Sequence, residues 1–285
     1  MPSVAEALQD RLSEMTRAER QLADVILRNY PISGLGSITE LATQADVSTP
    51  SVARLVQKLG FSGYPAFQAG LRAELGEMIS DPISKRETWR HQLPQEHVLS
   101  RYAEAVEANM RMTLDNIDPE EFDAVSDLVS DHARKIFVSG GRLSGTIAKF
   151  LFLHLQMIRS DVILITSDAS WPHAILDVNP GDVMLAFDVR RYENQTLVMG
   201  EMAHKRGAEI VLFTDQWRSP LHHLAKHTFA ARISVPSAWD SGMGLMLLVE
   251  SLIASVQETL WESVKSRTDE LEQAFDQTRL FRKFT

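Results

Sequence analysis

Along the first 80 residues, apolar positions recur at helical spacing in short blocks. Leu22, Val25 and Ile26 share one face of a helix that opens at Thr16-Arg17-Ala18-Glu19, where hydroxyl and carboxylate can satisfy each other's backbone N–H groups in a capping box. Ser37-Ile38-Thr39-Glu40 has the same form, and Val4, Leu8 and Leu12 predict an additional helix at the start. Asn29-Tyr30-Pro31 ends the Thr16 helix, because the residue before a proline avoids helical geometry. From about 81 to 95 the pattern breaks up around Pro82 and Pro94, which predicts an irregular connection before a helix through Ala103, Val106 and Met110.

After Asp118-Pro119 the period changes. The runs 135–139, 162–165, 182–187, 209–213 and 228–233 are short, almost continuously apolar and separated by helix-length segments. Strands of that kind are buried on both faces, which predicts a parallel sheet with helices above and below. The expectation is an α+β two-domain chain: an all-α helix-turn-helix domain over 1–80, a linker and connecting helix over 81–110, and an α/β domain over 111–285 with a doubly wound, parallel, five-stranded sheet.

Within the helical part, residues 37–60 have a helix-turn-helix layout. Ala42 is small where two helices approach, the turn passes through Asp46-Val47, and Ser48 can cap the second helix with Pro50 in its first turn. Val52, Leu55, Val56 and Leu59 form the apolar face. The other side carries Thr49, Ser51, Ala53, Arg54, Gln57 and Lys58, able to donate to base edges or phosphates and without an acid. By spacing alone, an ordinary helical hairpin with a solvated face fits as well. The stretch continues into Leu59-Gly60-Phe61-Ser62-Gly63-Tyr64-Pro65-Ala66-Phe67, and with Ser51 and Arg54 it resembles the N-terminal domain of the RpiR family of bacterial transcriptional regulators. The resemblance implies DNA reading by this helix, with Ser62 and Tyr64 of the following turn counted in the same face.

The first predicted strand runs into Ser139-Gly140-Gly141-Arg142-Leu143-Ser144-Gly145. Glycines at such a turn let backbone approach a ligand, and free N–H groups at a helix start attract anions, although tight strand-to-helix turns need glycine in any case. The turn is neither a Walker loop nor a full GxGxxG. In order and spacing, residues from about 120 to 260 resemble the SIS (sugar isomerase) domain, the usual partner of the RpiR-type DNA-binding domain. Gly140 and Ser144 match its first phosphate-loop pattern, Arg142 replaces its second glycine, and Ser241 resembles the serine before its last long helix. After the third strand, where that pattern has Ser-x-Ser-Gly-x-Thr, this chain has Asp188-Val189-Arg190-Arg191-Tyr192-Glu193. Hydroxyls are replaced by guanidinium groups, which can hold a carboxylate or phosphate bidentately or pair on the surface with neighbours such as Glu193. Gly140, Gly141, Arg142, Ser144, Asp188, Arg190, Arg191, Tyr192, Asp240 and Ser241 are the candidate effector-binding residues.

Other features carry less. His222-His223 with His227 has no adjoining carboxylate or HExxH motif, so no metal site is expected. Trp171 and Trp239 can floor a pocket or simply pack, and Asp240-Ser241 can equally be a helix cap. The apolar stripe from Met243 to Ile253, with Leu260, Trp261, Val264, Leu271 and Phe275, suits a core or a subunit interface.

Composition sharpens this reading. With no cysteine among 285 residues, disulfides, thiol catalysis and Cys-based metal sites are excluded. The net charge of −9 argues against indiscriminate nucleic-acid binding but not against a small reading face. No leader or spanning segment is evident, so a cytoplasmic protein that does not enter membranes is expected. The function expected is a transcriptional regulator, in the repressor mode commoner in the resembled family. It reads double-stranded operator DNA as a homodimer or homotetramer and is controlled by a small anionic metabolite, a sugar phosphate or sugar acid. No cofactor or catalytic residue is assigned. The competing reading is a phosphosugar isomerase with an accessory helical domain, but no carboxylate–histidine pair at the strand ends supports it.

Overall fold

The computed structural model describes residues 3–90, 97–166 and 169–282, without the side chains of Thr88 and Arg90; Pro94 lies outside the described residues. The chain divides into two compact units. One gathers Met1–Ala105 with Gln216–His223 and Val235–Asp240, the other Val106–Asp215, Leu224–Ser234 and Ser241–Thr285.

The first unit contains helices α1 (Val4–Gln9), α2 (Arg17–Arg28), α3 (Ile38–Gln44), α4 (Thr49–Lys58), α5 (Tyr64–Ile79) and α6 (Pro82–Arg90). Both capping boxes form. Glu19 returns its carboxylate to Thr16 N at 2.8 Å, and Glu40 to Ser37 N at 2.7 Å. A third box, Ser3 with Glu6, opens α1. Leu12 belongs to a short 3-10 turn rather than to α1. Leu22, Ile26, Leu41, Val52, Leu55, Val56, Phe67 and Leu71 form one apolar core, so the faces set by the i, i+3, i+4 pattern meet each other. Contrary to the pattern, the segment after Ser80 is helical. Asp81 Oδ1 accepts from Ile83 N and Ser84 N at 2.7 and 3.0 Å, and Pro82 sits in the first turn, where its missing N–H costs nothing.

The second unit holds α7 from Val106 onward (Val98–Asp115), then α8 (Pro119–Ser130), β1 (Ile136–Gly140), α9 (Ser144–Ile158), β2 (Val162–Ile165), α10 (Trp171–Leu176), β3 (Val183–Phe187), α11 (Asn194–Lys205), β4 (Glu209–Asp215), β5 (Ala225–Ala231), α12 (Met243–Thr259) and α13 (Trp261–Thr278). The five strands are all parallel in the order β2-β1-β3-β4-β5. α9 packs on β1, β2 and β3, and α10 and α11 pack on each other and on β2, β3 and β4; the right-handed crossover rule for parallel strands places these two groups on opposite faces. α12 packs on α9 and buries Leu245, Leu248, Val249 and Leu252, so most of the Met243–Ile253 stripe is core, while Met243 itself is exposed. Phe213 stacks on Phe187 with ring centroids 4.5 Å apart and meets Phe229 edge-on at 5.3 Å.

Two strand limits differ from the pattern. β4 continues through Thr214 and Asp215, both fully buried, because their polar side chains find partners in the loop after β3. β5 begins at Ala225, three residues earlier than its apolar run, and pairs β4 with a register shift at Ile210/Val211. A buried Arg159, invisible to a polarity pattern, ties the end of α8 to the approach to β1: its guanidinium donates to the carbonyls of Val129, Asp131 and Arg134.

Candidate DNA-reading and effector sites

The turn between α3 and α4 is made by Asp46 in the left-handed region, with Val47 N donating to Ala42 O at 2.9 Å. Ser48 occupies the N-cap of α4, but its hydroxyl bonds Ser51 Oγ at 3.0 Å instead of the backbone. Arg54 Nη2 donates to the same Ser51 oxygen at 3.1 Å, so three polar side chains run in a line along one side of the helix. Arg54 and Gln57 are exposed, Thr49 and Ser51 half-buried, and Ser62 exposed on the following turn.

Two members of the expected face are tied inward. Lys58 Nζ donates to Glu14 O at 3.0 Å and to Glu19 Oε2 at 3.2 Å, and Tyr64 OH donates toward the carbonyls of Gly34 and Gly36 at 3.2 and 3.0 Å. Glu19 is held below the usual carboxylate range, first by the Thr16 backbone N–H and then by Lys58.

In the second unit, the strand order reverses direction between β1 and β3, the place where open parallel sheets bind ligands. Gly140 pairs with Phe187 in register, so the loops after these two strands leave the sheet side by side. A Cβ on Gly140 would stand 2.9 Å from the backbone of Gly145, which explains the glycine: the first turn of α9 sits on it. Ser144 Oγ donates to Phe187 O at 2.8 Å and accepts from Gly141 N at 3.1 Å, binding the two loops together.

The β3 loop uses its polar groups internally. Asp188 is 1% exposed, its backbone N–H donates to Phe213 O, and its carboxylate accepts from Glu193 N at 3.3 Å. Asp215 accepts from Arg190 N and from Tyr192 OH, each at 2.7 Å. Burial, with the Asp215 charge beside it, pushes the Tyr192 hydroxyl well above its ordinary value, so it is a neutral donor. Glu193 does not pair with the arginine side chains as a surface reading would suggest; Glu193 Oε1 accepts from the backbone N–H of Arg142 at 2.6 Å. The Arg142 and Arg191 side chains are exposed and that of Arg190 is half-buried.

Ser241 is buried and its hydroxyl accepts from Met243 N at 3.3 Å at the start of α12. Asp240 belongs to the first unit, where it pairs with Lys85. Trp239 is 64% exposed and is not part of the buried core. His222 and His223 are neighbours, and no group of metal-ligating side chains occurs among the described residues. Sequence reasoning missed Thr214 and Asp215, hidden inside an apolar strand. It also missed Ser139, whose buried hydroxyl takes no hydrogen-bond partner among the described residues.

Residues 3–78 match the helix-turn-helix domain of the rpiR family, and residues 131–255 match the SIS domain. The chain belongs to the RpiR family. The transcriptional regulator HexR of Pseudomonas aeruginosa is 27% identical over 227 residues, 75% of this chain and 74% of the relative. HexR of Escherichia coli is 23% identical over 253 residues, 86% and 82% of the two chains. Among solved structures, the sugar isomerase domain of an RpiR transcription factor from Sphaerobacter thermophilus superposes with a TM-score of 0.58 at 22% identity, covering 62% of this chain and 99% of that one. NanR of Vibrio vulnificus, complexed with ManNAc-6P, gives 0.57 at 21% identity over 98% of this chain and 99% of that one. This RpiR-family chain is thus an HTH-type transcriptional regulator with a SIS domain. Its named relatives regulate transcription, and the isomerase reading is set aside.

Proposed function

We propose that this regulator binds operator DNA through α4 as a homodimer or homotetramer and that a small anionic metabolite, a sugar phosphate or sugar acid, controls its operator affinity from the loops after β1 and β3. The observation that carries the reading is the meeting of these loops at the reversal of strand order, with the Arg142 N–H already donating to a carboxylate and the Arg142 and Arg191 guanidinium groups exposed beside it. The NanR structure with ManNAc-6P supports a phosphorylated sugar as one member of the ligand class. Thr49, Ser51, Arg54, Gln57 and Ser62 offer the DNA-reading surface, and Lys58 and Tyr64 hold it in place. Two copies related by a twofold axis read a palindrome, and one helix alone offers too little surface. The protein works where the DNA is, in the bacterial cytoplasm, and represses in the absence of effector.

The test is a thermal-shift screen of sugar phosphates and sugar acids, followed by operator titration with and without the hit. A ligand that binds the native state raises the melting temperature as its concentration exceeds Kd. The reading holds if the hit also changes operator affinity. It fails if the protein binds no operator DNA in a salt-dependent manner, or if neutral sugars stabilise it as well as anions do.

A further inference from the structure

Glu193 stands at the N-cap of α11, where its side chain forms no bond to its own helix. The carboxylate turns instead to a residue 51 positions earlier and accepts from Arg142 N at 2.6 Å. The same oxygen lies 2.9 Å from the place a Cβ on Gly141 would take, so the carboxylate rests directly on the glycine turn before α9. Backbone N–H groups in that position attract an anion whichever molecule supplies it. Here the anion is part of the chain. Ser144 reinforces the arrangement, because its hydroxyl hydrogen is given to Phe187 O and does not face an incoming ligand.

We propose that Glu193 is a specificity-determining residue of the effector site: its carboxylate fills the anion seat of the β1 loop, so that an effector binds only by exchanging with it. The proposal rests on the reading that the effector occupies these loops, but not on the identity of the operator. A second anion brought beside Glu193 meets a like charge. Inorganic phosphate has nothing further to offer and is refused. A larger anion that also reaches an exposed guanidinium, Arg142 or Arg191, has a compensating contact and can displace the glutamate. The departure of the β3 loop from the hydroxyl-rich SIS pattern then has a purpose: it replaces general phosphate capture by selection of anions with additional polar groups.

The experiment is a calorimetric titration of the purified full-length protein with inorganic phosphate, using the parent, Glu193→Ala and Glu193→Gln, with circular dichroism confirming the fold. Glu193→Ala is expected to bind phosphate at least about tenfold more tightly than the parent, as a like charge is removed from the seat. Glu193→Gln, which keeps the volume and an acceptor oxygen for the Arg142 N–H, falls between them. Equal phosphate affinity in the parent and Glu193→Ala, both natively folded, overturns the proposal. Should the alanine variant not fold, an unchanged affinity in Glu193→Gln overturns it alone. Failure of the effector reading looks different: no anionic metabolite alters operator binding by the parent, whatever the variants do with phosphate.

Discussion

The proposed DNA-reading helix α4 and the proposed effector loop after β3 arrange similar residue types in opposite ways. On α4, Arg54 and Gln57 stay exposed, and Ser48, Ser51 and Arg54 bond one another along the surface. In the loop after β3, Asp188 and Asp215 are almost wholly buried and take donors from the loop's own backbone and from Tyr192. A solvated face can leave donors to water until a partner replaces it. A loop closing the end of a sheet cannot, because each buried polar group without a partner costs about 1–3 kcal/mol. On the proposed assignment, reading DNA takes an outward display of donors, and sensing takes an internal network that a ligand has to enter.

The strongest way to break this contrast is to disturb the platform under the network. Phe213 lies between Phe187 and Phe229, and Phe187 and Phe213 supply the carbonyls that receive Gly141 N and Asp188 N. Phe213→Ala is expected to cost about 3–5 kcal/mol, read as a lower denaturant midpoint, and to abolish effector response. Next comes the charge at the rim. Arg191 is exposed while Arg190 is anchored through its N–H to Asp215, so Arg191→Ala is expected to weaken effector binding by about 2 kcal/mol, roughly thirtyfold, with effector-free DNA binding intact. Unchanged response in separate Arg190→Ala and Arg191→Ala proteins would remove the arginines from the site.

How much of this was legible in sequence follows from the reach of each interaction. The helical unit is written locally: Thr16 with Glu19, Ser37 with Glu40, and the faces of α2 and α4 all depend on residues within a turn or two. The strands and the Gly140–Ser144 turn were equally readable, because burial on both faces leaves continuous apolar runs. The end of β4 was not. Thr214 and Asp215 continue the strand because they bond Asp188 O and Arg190 N, 26 and 25 positions away. The contact of Glu193 with Arg142 is of the same long-range kind. α6 was missed for a local reason: Pro82 reads as a breaker unless Asp81 is recognised as the cap before it.

On the DNA side the sharpest substitution is Arg54→Ala. Its guanidinium is exposed and donates to Ser51 Oγ on the helix surface, so folding should be intact. Operator affinity in a gel-shift titration is expected to fall by about 1–3 kcal/mol, with nonspecific DNA affected less. No change in operator affinity would take Arg54 off the reading face.

The smallest expected effect tests whether the outward display has an inward exception. Lys58 lies on the same helix, but its ammonium is held by Glu14 O and the Glu19 carboxylate, the pair being partly exposed with side-chain exposures of 31% and 15%. Such a pair contributes at most about 1 kcal/mol, so Lys58→Ala should lower the denaturant midpoint only slightly. The pH sign follows from Glu19, whose carboxyl is held below its ordinary value: the stabilisation is present above the unfolded-state value and is lost as pH falls through the lower folded one. Lys58→Ala should flatten part of that acid dependence, leaving the part due to the Thr16 N–H. On DNA, a lysine occupied within its own domain releases no counterion, so the slope of log affinity against log salt should match the parent. A slope smaller by about one would mean that Lys58 leaves Glu19 for a phosphate when DNA arrives, and would return it to the reading face.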